Sequence, residues 1–470
     1  MKVLLTHGYF LKDDPAELRI MKPYPPLGIL YISAYLNEKG IDNKIFDTTF
    51  SSKEQLKKYL IDQKPEYTAI YVNLMTKLNV LEIINFIKSN NELAATKIIL
   101  GGPETRYNAD DFLNHGADYI IIGEGEETFH KLILTLDQQS KKELKNLKSV
   151  AYIDDNGQTF FTEERSLIKN IDELPIPNRA GINISDYQNA WKQKHKQDAV
   201  SVSTMRGCPY TCKWCSRAVY GLTYRRRSPE KVVEELKIIK EKYNPDSIWF
   251  VDDVFTVSHK WLFEFNEELK KNNLKINYEC ITRADRMNEE VIAVLKESGC
   301  FRVWIGAESG SQRIIDAMDR RVKVEQVREM IKLSKIYGIE TGTFIMLGYP
   351  GETEKDIEET ISHLKNSNPD HFTITVAYPI KGTELFQEIE ANQTEAFNWE
   401  MKSDRDRDFK RTYPRKFYDF AVRRVVNEVK FHSKKNGNLF KAKIIKYKSK
   451  SVAAKAGMWW VRNTTWLSSN

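Results

Sequence analysis

Twice along the chain, short β-branched runs alternate with amphipathic stretches, which restricts the fold to parallel sheets with helices packed on their faces. In residues 1–140, KVLLTH, KIFD, YTAIYVN, KIILGG and ADYIIIG read as strands, and LGILYISAYLNEKG, VLEIINFIKSN and EETFHKLILTL as helices. Five strands so spaced predict a doubly wound, Rossmann-like parallel sheet, whose ligand crevice lies outside the strand carboxyl ends. Residues 141–195 are lysine-rich and then irregular; ELPIPNRAG, with two prolines and Gly181, marks them as a linker. Residues 196–395 resume the alternation with AVSVST, IWFVDD, NYECIT, FRVWIGAES, TGTFIMLGYP and HFTITVAYP. Six βα units predict a partial (β/α)6 barrel, again with its working face at the strand carboxyl ends. Residues 396–470 turn charged and aromatic and read as a mostly helical basic extension.

Composition bounds the function classes. With 41% hydrophobic residues over 470 positions the chain can bury several cores, which excludes a disordered tail or a fibre. No run approaches the roughly 18 to 20 uncharged apolar residues of a membrane span, and MKVLLTHGYFLKDD has too short an apolar core for a secretory signal, so a cytoplasmic protein is expected. The net charge of +7 is unevenly spread, with 19 Lys/Arg against 5 Asp/Glu in residues 401–470 and 53 against 60 in the rest. Such a basic tail points to an acidic partner surface or to a separately solvated appendage.

Three of the five cysteines, Cys208, Cys212 and Cys215, form a C-x3-C-x2-C run, RGCPYTCKWC, just after the first strand of the second block. Thiolates at this spacing suit an iron–sulfur cluster or zinc, but a closed zinc site needs a fourth ligand and none follows at ribbon spacing. Three ligands on a four-iron cluster leave one iron open to a substrate. Cys280 and Cys300 sit in apolar strand contexts and read as buried core thiols.

This run, with the aromatic Trp214 before its last cysteine, resembles the signature of the radical SAM superfamily. The resemblance implies a [4Fe-4S] cluster whose open iron chelates S-adenosylmethionine and, with one electron from a donor such as flavodoxin or ferredoxin, cleaves it to methionine and a 5′-deoxyadenosyl radical. Further segments follow in the family's order. Asp252 and Asp253 end IWFVDD where relatives place polar groups for the methionine amine; an N-cap is their other reading. Arg283 in CITRADRM is similar to an arginine aimed at the S-adenosylmethionine carboxylate, a surface ion pair being the alternative. Glu308 and Ser309 in GAESGS resemble the ribose-contacting pair, since a carboxylate can accept from both hydroxyls of a diol. Gly348 in FIMLGYPGET, with Gly351 and Glu352, looks like the segment passing the adenine, although glycines there also serve tight turns. Tyr378 in VAYPIKGTEL resembles the sixth-strand ending.

A doubly wound sheet ahead of such a barrel is similar to the cobalamin (B12)-binding subgroup, as are PYPPLGILYISAYLNEKG, GGPE and GEGEETF. The likeness runs over roughly residues 1–390. It implies corrin-side roles for Gly101 and Gly102, for Glu124 and Gly125, and for Met75 and Thr76, with turn chemistry as the other reading. No Asp-x-His-x-x-Gly run is present, and His7 at the end of the first strand reads as a hydrogen-bonded structural residue, so cobalamin is expected base-off without a protein histidine on cobalt.

The resulting expectation is a cobalamin-dependent radical SAM enzyme that methylates an unactivated carbon or phosphorus of a small-molecule or lipid metabolite. An oxidative or rearranging enzyme like the anaerobic magnesium-protoporphyrin monomethyl ester cyclase is the rival, and a non-catalytic iron–sulfur sensor on nucleic acid is remote. Trp459, Trp460 and Trp466 beside Lys455 and Arg462 fit peripheral contact with an anionic membrane, and equally fit packing on the barrel.

Overall fold

The computed structural model describes residues 2–390, 397–435 and 441–467. The chain divides into two units: 1–209 with 216–249 and 397–405, and 210–215 with 250–396 and 406–470.

In the first unit, β1 (Val3–His7), β2 (Asn43–Phe46), β3 (Tyr67–Tyr71), β4 (Lys97–Gly101) and β5 (Tyr119–Ile121) form a parallel sheet in the order β2-β1-β3-β4-β5. Side chains on successive strand positions point to opposite faces, and here both faces are apolar. Leu4, Ile98, Leu100 and Ile120 enter one core, and their neighbours Val3, Leu5, Ile99 and Ile121 enter the other. Helices Leu27–Glu38 and Glu126–Asp137 carry apolar residues of the second core, and Lys77–Ser89 those of the first.

Residues 141–195, expected as a linker, carry regular structure. β6 (Val150–Ile153) and β7 (Thr159–Phe161) add to the sheet antiparallel after β5, and helix Ile184–His195 follows. Their three- and four-residue runs are too short to register as a period. Residues 397–405, expected in the basic extension, pack within the first unit. The buried Lys77 ammonium donates to the carbonyls of Trp399 (2.6 Å) and Lys402 (2.5 Å), and Trp399 meets Phe112 edge-on.

After β8 (Ala199–Val202), a short antiparallel pair forms from β9 (Met205–Arg206) and β10 (Arg225–Arg226). β11 (Ser247–Phe250), β12 (Tyr278–Thr282), β13 (Cys300–Glu308), β14 (Glu340–Leu347) and β15 (His371–Val376) complete a six-stranded half-barrel in strict sequence order, β15-β14-β13-β12-β11-β8. The pairings from β12 to β15 are parallel. Cys280 and Cys300 are core residues of this sheet, as expected.

The extension folds as two long helices, Arg415–Lys435 and Lys441–Leu467. Among the described residues no helix is long and apolar enough to cross a membrane. The Trp466 side chain lies outside the described residues. The two helices approach closely at Gly457, where an added Cβ would lie 2.6 Å from the Phe420 ring. Gly457→Ala is therefore expected to loosen this pair by about 1–3 kcal/mol through overpacking. The effect is read as lost amide hydrogen-exchange protection in residues 415–435 and 441–467, with β12 to β15 unchanged.

Candidate active site

Two buried arginines in the second unit converge on one cysteine. Arg283, just past β12, places Nη1 3.7 Å from the Cys212 sulfur, and Arg320 Nη1 lies 3.7 Å from the same atom. Arg283 is held on every side: Nε and Nη2 donate to the Asp285 carboxylate (2.8 and 3.2 Å), Nη2 also donates to the Arg320 carbonyl (2.7 Å), and the guanidinium lies 3.8 Å from the Tyr210 ring centroid. Arg320 donates from Nη2 to the Gly306 carbonyl (3.2 Å), while its buried Nε has no partner among the described residues. Two buried cations beside one sulfur suit a thiolate ligand of a metal cluster far better than a neutral core thiol. An orphaned buried donor is the kind of group that a bound ligand satisfies.

The cysteine loop is pinned from the turn that carries Arg320. Lys213 N donates to the Met318 carbonyl (3.2 Å), Thr211 Oγ1 donates to Asp319 (2.5 Å), and Leu385 N donates to the Lys213 carbonyl (2.9 Å). Cys215 N closes a turn onto the Cys212 carbonyl (3.1 Å). Trp214 packs against the cluster that contains Met318, Tyr349 and Leu385, so the indole anchors the loop. Cys212 is buried, and Cys208 and Cys215 are half-buried.

At the end of β13 the register against β14 slips between Gly306 and Glu308, and Glu308 adopts φ +63°. A bulge re-aims the residue that follows it, and a non-glycine residue in the left-handed region costs of order 1–3 kcal/mol that its surroundings must hold. The result brings the Glu308 carboxylate 3.8 Å from Arg320 Nη2. Burial pushes the Glu308 carboxyl above the usual carboxylate range, against the pull of Arg320 and Arg283.

Other expected residues divide by what their polar atoms already do. Ser309 is buried, and its hydroxyl accepts from Ser311 N (3.1 Å) and neighbours Thr360 Oγ1 (3.3 Å). Asp252 is buried and Asp253 exposed just past β11, and Tyr378 is half-buried just past β15. Gly348 N donates to Glu352 Oε2 (2.5 Å), while the buried Glu352 Oε1 has no partner among the described residues.

In the first unit a cavity of about 220 Å³ opens at the carboxyl ends of β3, β4 and β5, lined by Ala69, Gly101, Gly102, Gly125, Phe129 and Tyr220 among others. An added Cβ at Gly101 would meet nothing within 4 Å. At Gly102, with φ +117°, a Cβ would fall 2.4 Å from the Val72 carbonyl oxygen, so the backbone itself demands glycine there. Glu124 is buried at the rim and saturated: it accepts from Arg206 (2.7 Å), Arg225 (2.8 Å) and Ile168 N (2.8 Å). Arg206 also pairs with Glu126, and its guanidinium lies 5.4 Å from the Tyr31 ring centroid and 5.3 Å from that of Tyr220.

Met75 is exposed, with Arg405 Nη1 2.7 Å from its sulfur, whereas Thr76 is buried and its hydroxyl accepts from Asn73 N (3.0 Å) in its own turn. His7 has both ring nitrogens engaged, Nε2 with Asp47 (3.0 Å) and Nδ1 with Thr48 (2.9 Å), which matches the structural reading. The cavity is largely apolar and glycine-lined at parallel strand ends, a setting that lets a flat ring approach the backbone closely. Arg206, Tyr210, Asp285 and Arg320 were missed from sequence. Only Arg206, two residues before Cys208, and Tyr210, two after it, carried a positional hint.

Glu352 generates a pH prediction. Burial pushes its carboxyl up to about 8, opposed by the Gly348 amide. The folded protein thus holds a proton that the unfolded chain releases above about pH 4.5, so stability should fall as pH rises from about 5 to about 8. Glu352→Gln, which keeps an acceptor for Gly348 N, should flatten this component, as checked by urea midpoints at about pH 5.5 and about pH 8.

Known proteins resemble both parts of the chain. The family described as the radical SAM superfamily matches residues 202–364, and the B12 binding domain matches residues 19–133. An uncharacterized methyltransferase of Pyrococcus horikoshii is 31% identical over 379 residues, covering 78% of this chain and 79% of the relative. The anaerobic magnesium-protoporphyrin IX monomethyl ester cyclase of Rubrivivax gelatinosus is 26% identical over 411 residues, covering 85% of this chain and 72% of the relative. The solved structure of OxsB, a cobalamin-dependent S-adenosylmethionine radical enzyme with aqua-cobalamin bound, has the same fold, with a TM-score of 0.74 at 18% identity over 98% of this chain and 72% of that one. Identity of that level along most of both chains, with the two domain matches in the same order, places the protein in the radical SAM superfamily, among the members that carry a B12 binding domain ahead of the barrel and use a [4Fe-4S] cluster, S-adenosylmethionine and cobalamin.

Proposed function

We propose that the protein is a cobalamin-dependent methyltransferase that places a methyl group on an unactivated carbon of a small molecule. The convergence of Arg283 and Arg320 on Cys212 carries the reading, because it builds a charge-compensated, buried thiolate site at the end of the half-barrel strands. The choice of methyl transfer rests on the 31% identity to the Pyrococcus methyltransferase. When bound, the cluster and S-adenosylmethionine supply a radical that can take a hydrogen atom from an unactivated carbon, and cobalamin supplies the methyl group.

The chain's own residues hold and shield these groups. Cys208, Cys212 and Cys215 ligate the cluster, Trp214 anchors their loop, and the two arginines offset the negative charge of the thiolates in a buried setting. Glu308, fixed by the bulge, accepts from the ribose hydroxyls. Asp252 and Asp253 receive the methionine amine, Gly348 and Tyr378 border the adenine, and Ser309 holds the turn after Glu308. Gly101, Gly102, Gly125 and Met75 lie on the corrin side, where Glu124 and Thr76 set the rim and the adjoining turn. The enzyme draws its electron from a small one-electron donor of the flavodoxin or ferredoxin type.

Protein purified without oxygen from a cobalamin-fed host should hold about four irons per chain by this cluster assignment and about one corrinoid. Replacing Cys208, Cys212 and Cys215 together by Ala should remove the iron and leave the corrinoid. Iron without corrinoid would end the methyltransferase reading.

Turnover should yield S-adenosylhomocysteine and 5′-deoxyadenosine in equal amounts, one for the methyl group delivered and one for the hydrogen atom taken. The 26% identity to the cyclase over 411 residues favours a second reading, an oxidative ring-forming enzyme, which would give 5′-deoxyadenosine alone. Glu308→Gln should weaken S-adenosylmethionine binding about 10- to 100-fold, the range for losing hydrogen bonds to a charged acceptor, with iron content unchanged.

A further inference from the structure

The last helix, Lys441–Leu467, has an apolar face that its fold leaves uncovered. At about 100° per residue, Ala454, Met458 and Val461 share one face, and all three are buried. Ile445, Val452 and Trp459, seven residues apart, share the opposite face, with Trp460 at its edge. These four are 62%, 57%, 60% and 51% exposed. The helix therefore carries two apolar stripes, and apart from the Lys416 ammonium 5.1 Å from the Trp460 ring centroid the outer one is left exposed by the described residues.

The charge around the outer stripe selects its occupant. On the same spacing Lys446 lies beyond Trp460 on one side of the stripe, and Lys448, Lys455 and Arg462 border it on the other, all exposed, while Lys450 falls beside the buried face. No Asp or Glu occurs after Glu428. Acids of the second unit answer only part of this charge: Glu428 takes Lys448 (2.7 Å), and Glu354 takes Arg462 (2.9 Å). Lys446 and Lys455 stand on either side of the indoles.

We infer that this face docks the protein on an anionic lipid surface. An apolar stripe with two indoles, bordered by Lys446 on one side and by Lys448, Lys455 and Arg462 on the other, matches a helix lying in the interface plane, the indoles at headgroup depth and the cations on lipid phosphates. A polyanion such as nucleic acid would answer the lysines but not an aliphatic stripe between them, and among the described residues no helix is long and apolar enough to span the bilayer.

The test is flotation of the full-length protein, loaded with its cofactors, with vesicles of phosphatidylglycerol and phosphatidylcholine, and with vesicles of phosphatidylcholine alone. Binding is expected to the anionic vesicles and at least about tenfold weaker to the neutral ones. Trp459→Ser with Trp460→Ser, both at exposed positions, should lower binding about tenfold or more while iron, corrinoid and helix content stay unchanged. Lys446→Glu with Lys455→Glu should abolish it. Failure to float with anionic vesicles overturns the proposal. So does binding that survives the tryptophan changes, or a tighter, steeply salt-dependent binding to a DNA duplex that ignores them, since either would make the lysines alone responsible. The cysteine triple variant should float like the parent protein, so this result stands or falls separately from the catalytic reading.

Discussion

Two guanidinium groups are buried against a single sulfur atom, and the rest of the second unit is arranged around the need to keep them there. Removing an ion from water costs several kcal/mol unless charge and hydrogen bonds are supplied locally. Arg283 receives them from Asp285, from the Arg320 carbonyl and from the face of Tyr210. Arg320 receives less: the Gly306 carbonyl, a carboxylate at 3.8 Å, and no partner for Nε among the described residues. The arrangement is complete on one side and short of an acceptor on the other, which is the condition expected of a site that closes on an anionic ligand. Residues 318–320 do double duty, since Met318 and Asp319 pin the cysteine loop while Arg320 reaches its buried sulfur. One short turn therefore holds both the cysteine loop and the guanidinium beside its sulfur.

The alternation of strands and helices was legible in the first sheet because both of its faces are apolar, leaving β-branched runs no softer choice. All six half-barrel strands stand where the periodicity put them. β6 and β7 were not legible, being short and flanked by lysine-rich and turn residues. The return of residues 397–405 to the first unit was also hidden, because it depends on Lys77, more than 300 positions away in the chain. A contact of that range leaves no local period.

At the site, residue type was readable and geometry was not. Glu308 stood out beside Ser309 in the sequence, yet what separates them is the backbone. The bulge and the left-handed φ turn Glu308 toward Arg320, while the Ser309 hydroxyl is taken by the next turn. Met75 and Thr76 part in the same way, one exposed and one closed on Asn73. Adjacent polar residues at a strand end are equivalent to a motif reader, because only the turn they belong to decides which side chain is free. Arg320 had no motif at all; its role comes from the turn after helix Gln312–Ala317.

The uneven charge of the sequence has a comparable division. At the rim of the first unit's cavity, Glu124 and Glu126 gather Arg206 and Arg225, two residues before and ten residues after the span of the three cysteines. Charge there is matched nearly one to one and buried, so it fixes backbone position and leaves little free field. On the C-terminal helices the matching stops at the inner face, where Glu358 takes Arg424 and Glu428 takes Lys365 and Lys448. Burial sets the difference. Arg206 and Arg424, both buried, are each given a carboxylate, whereas Lys446 and Lys455 stay exposed, so part of the tail's excess collects on the face that the described fold leaves in water.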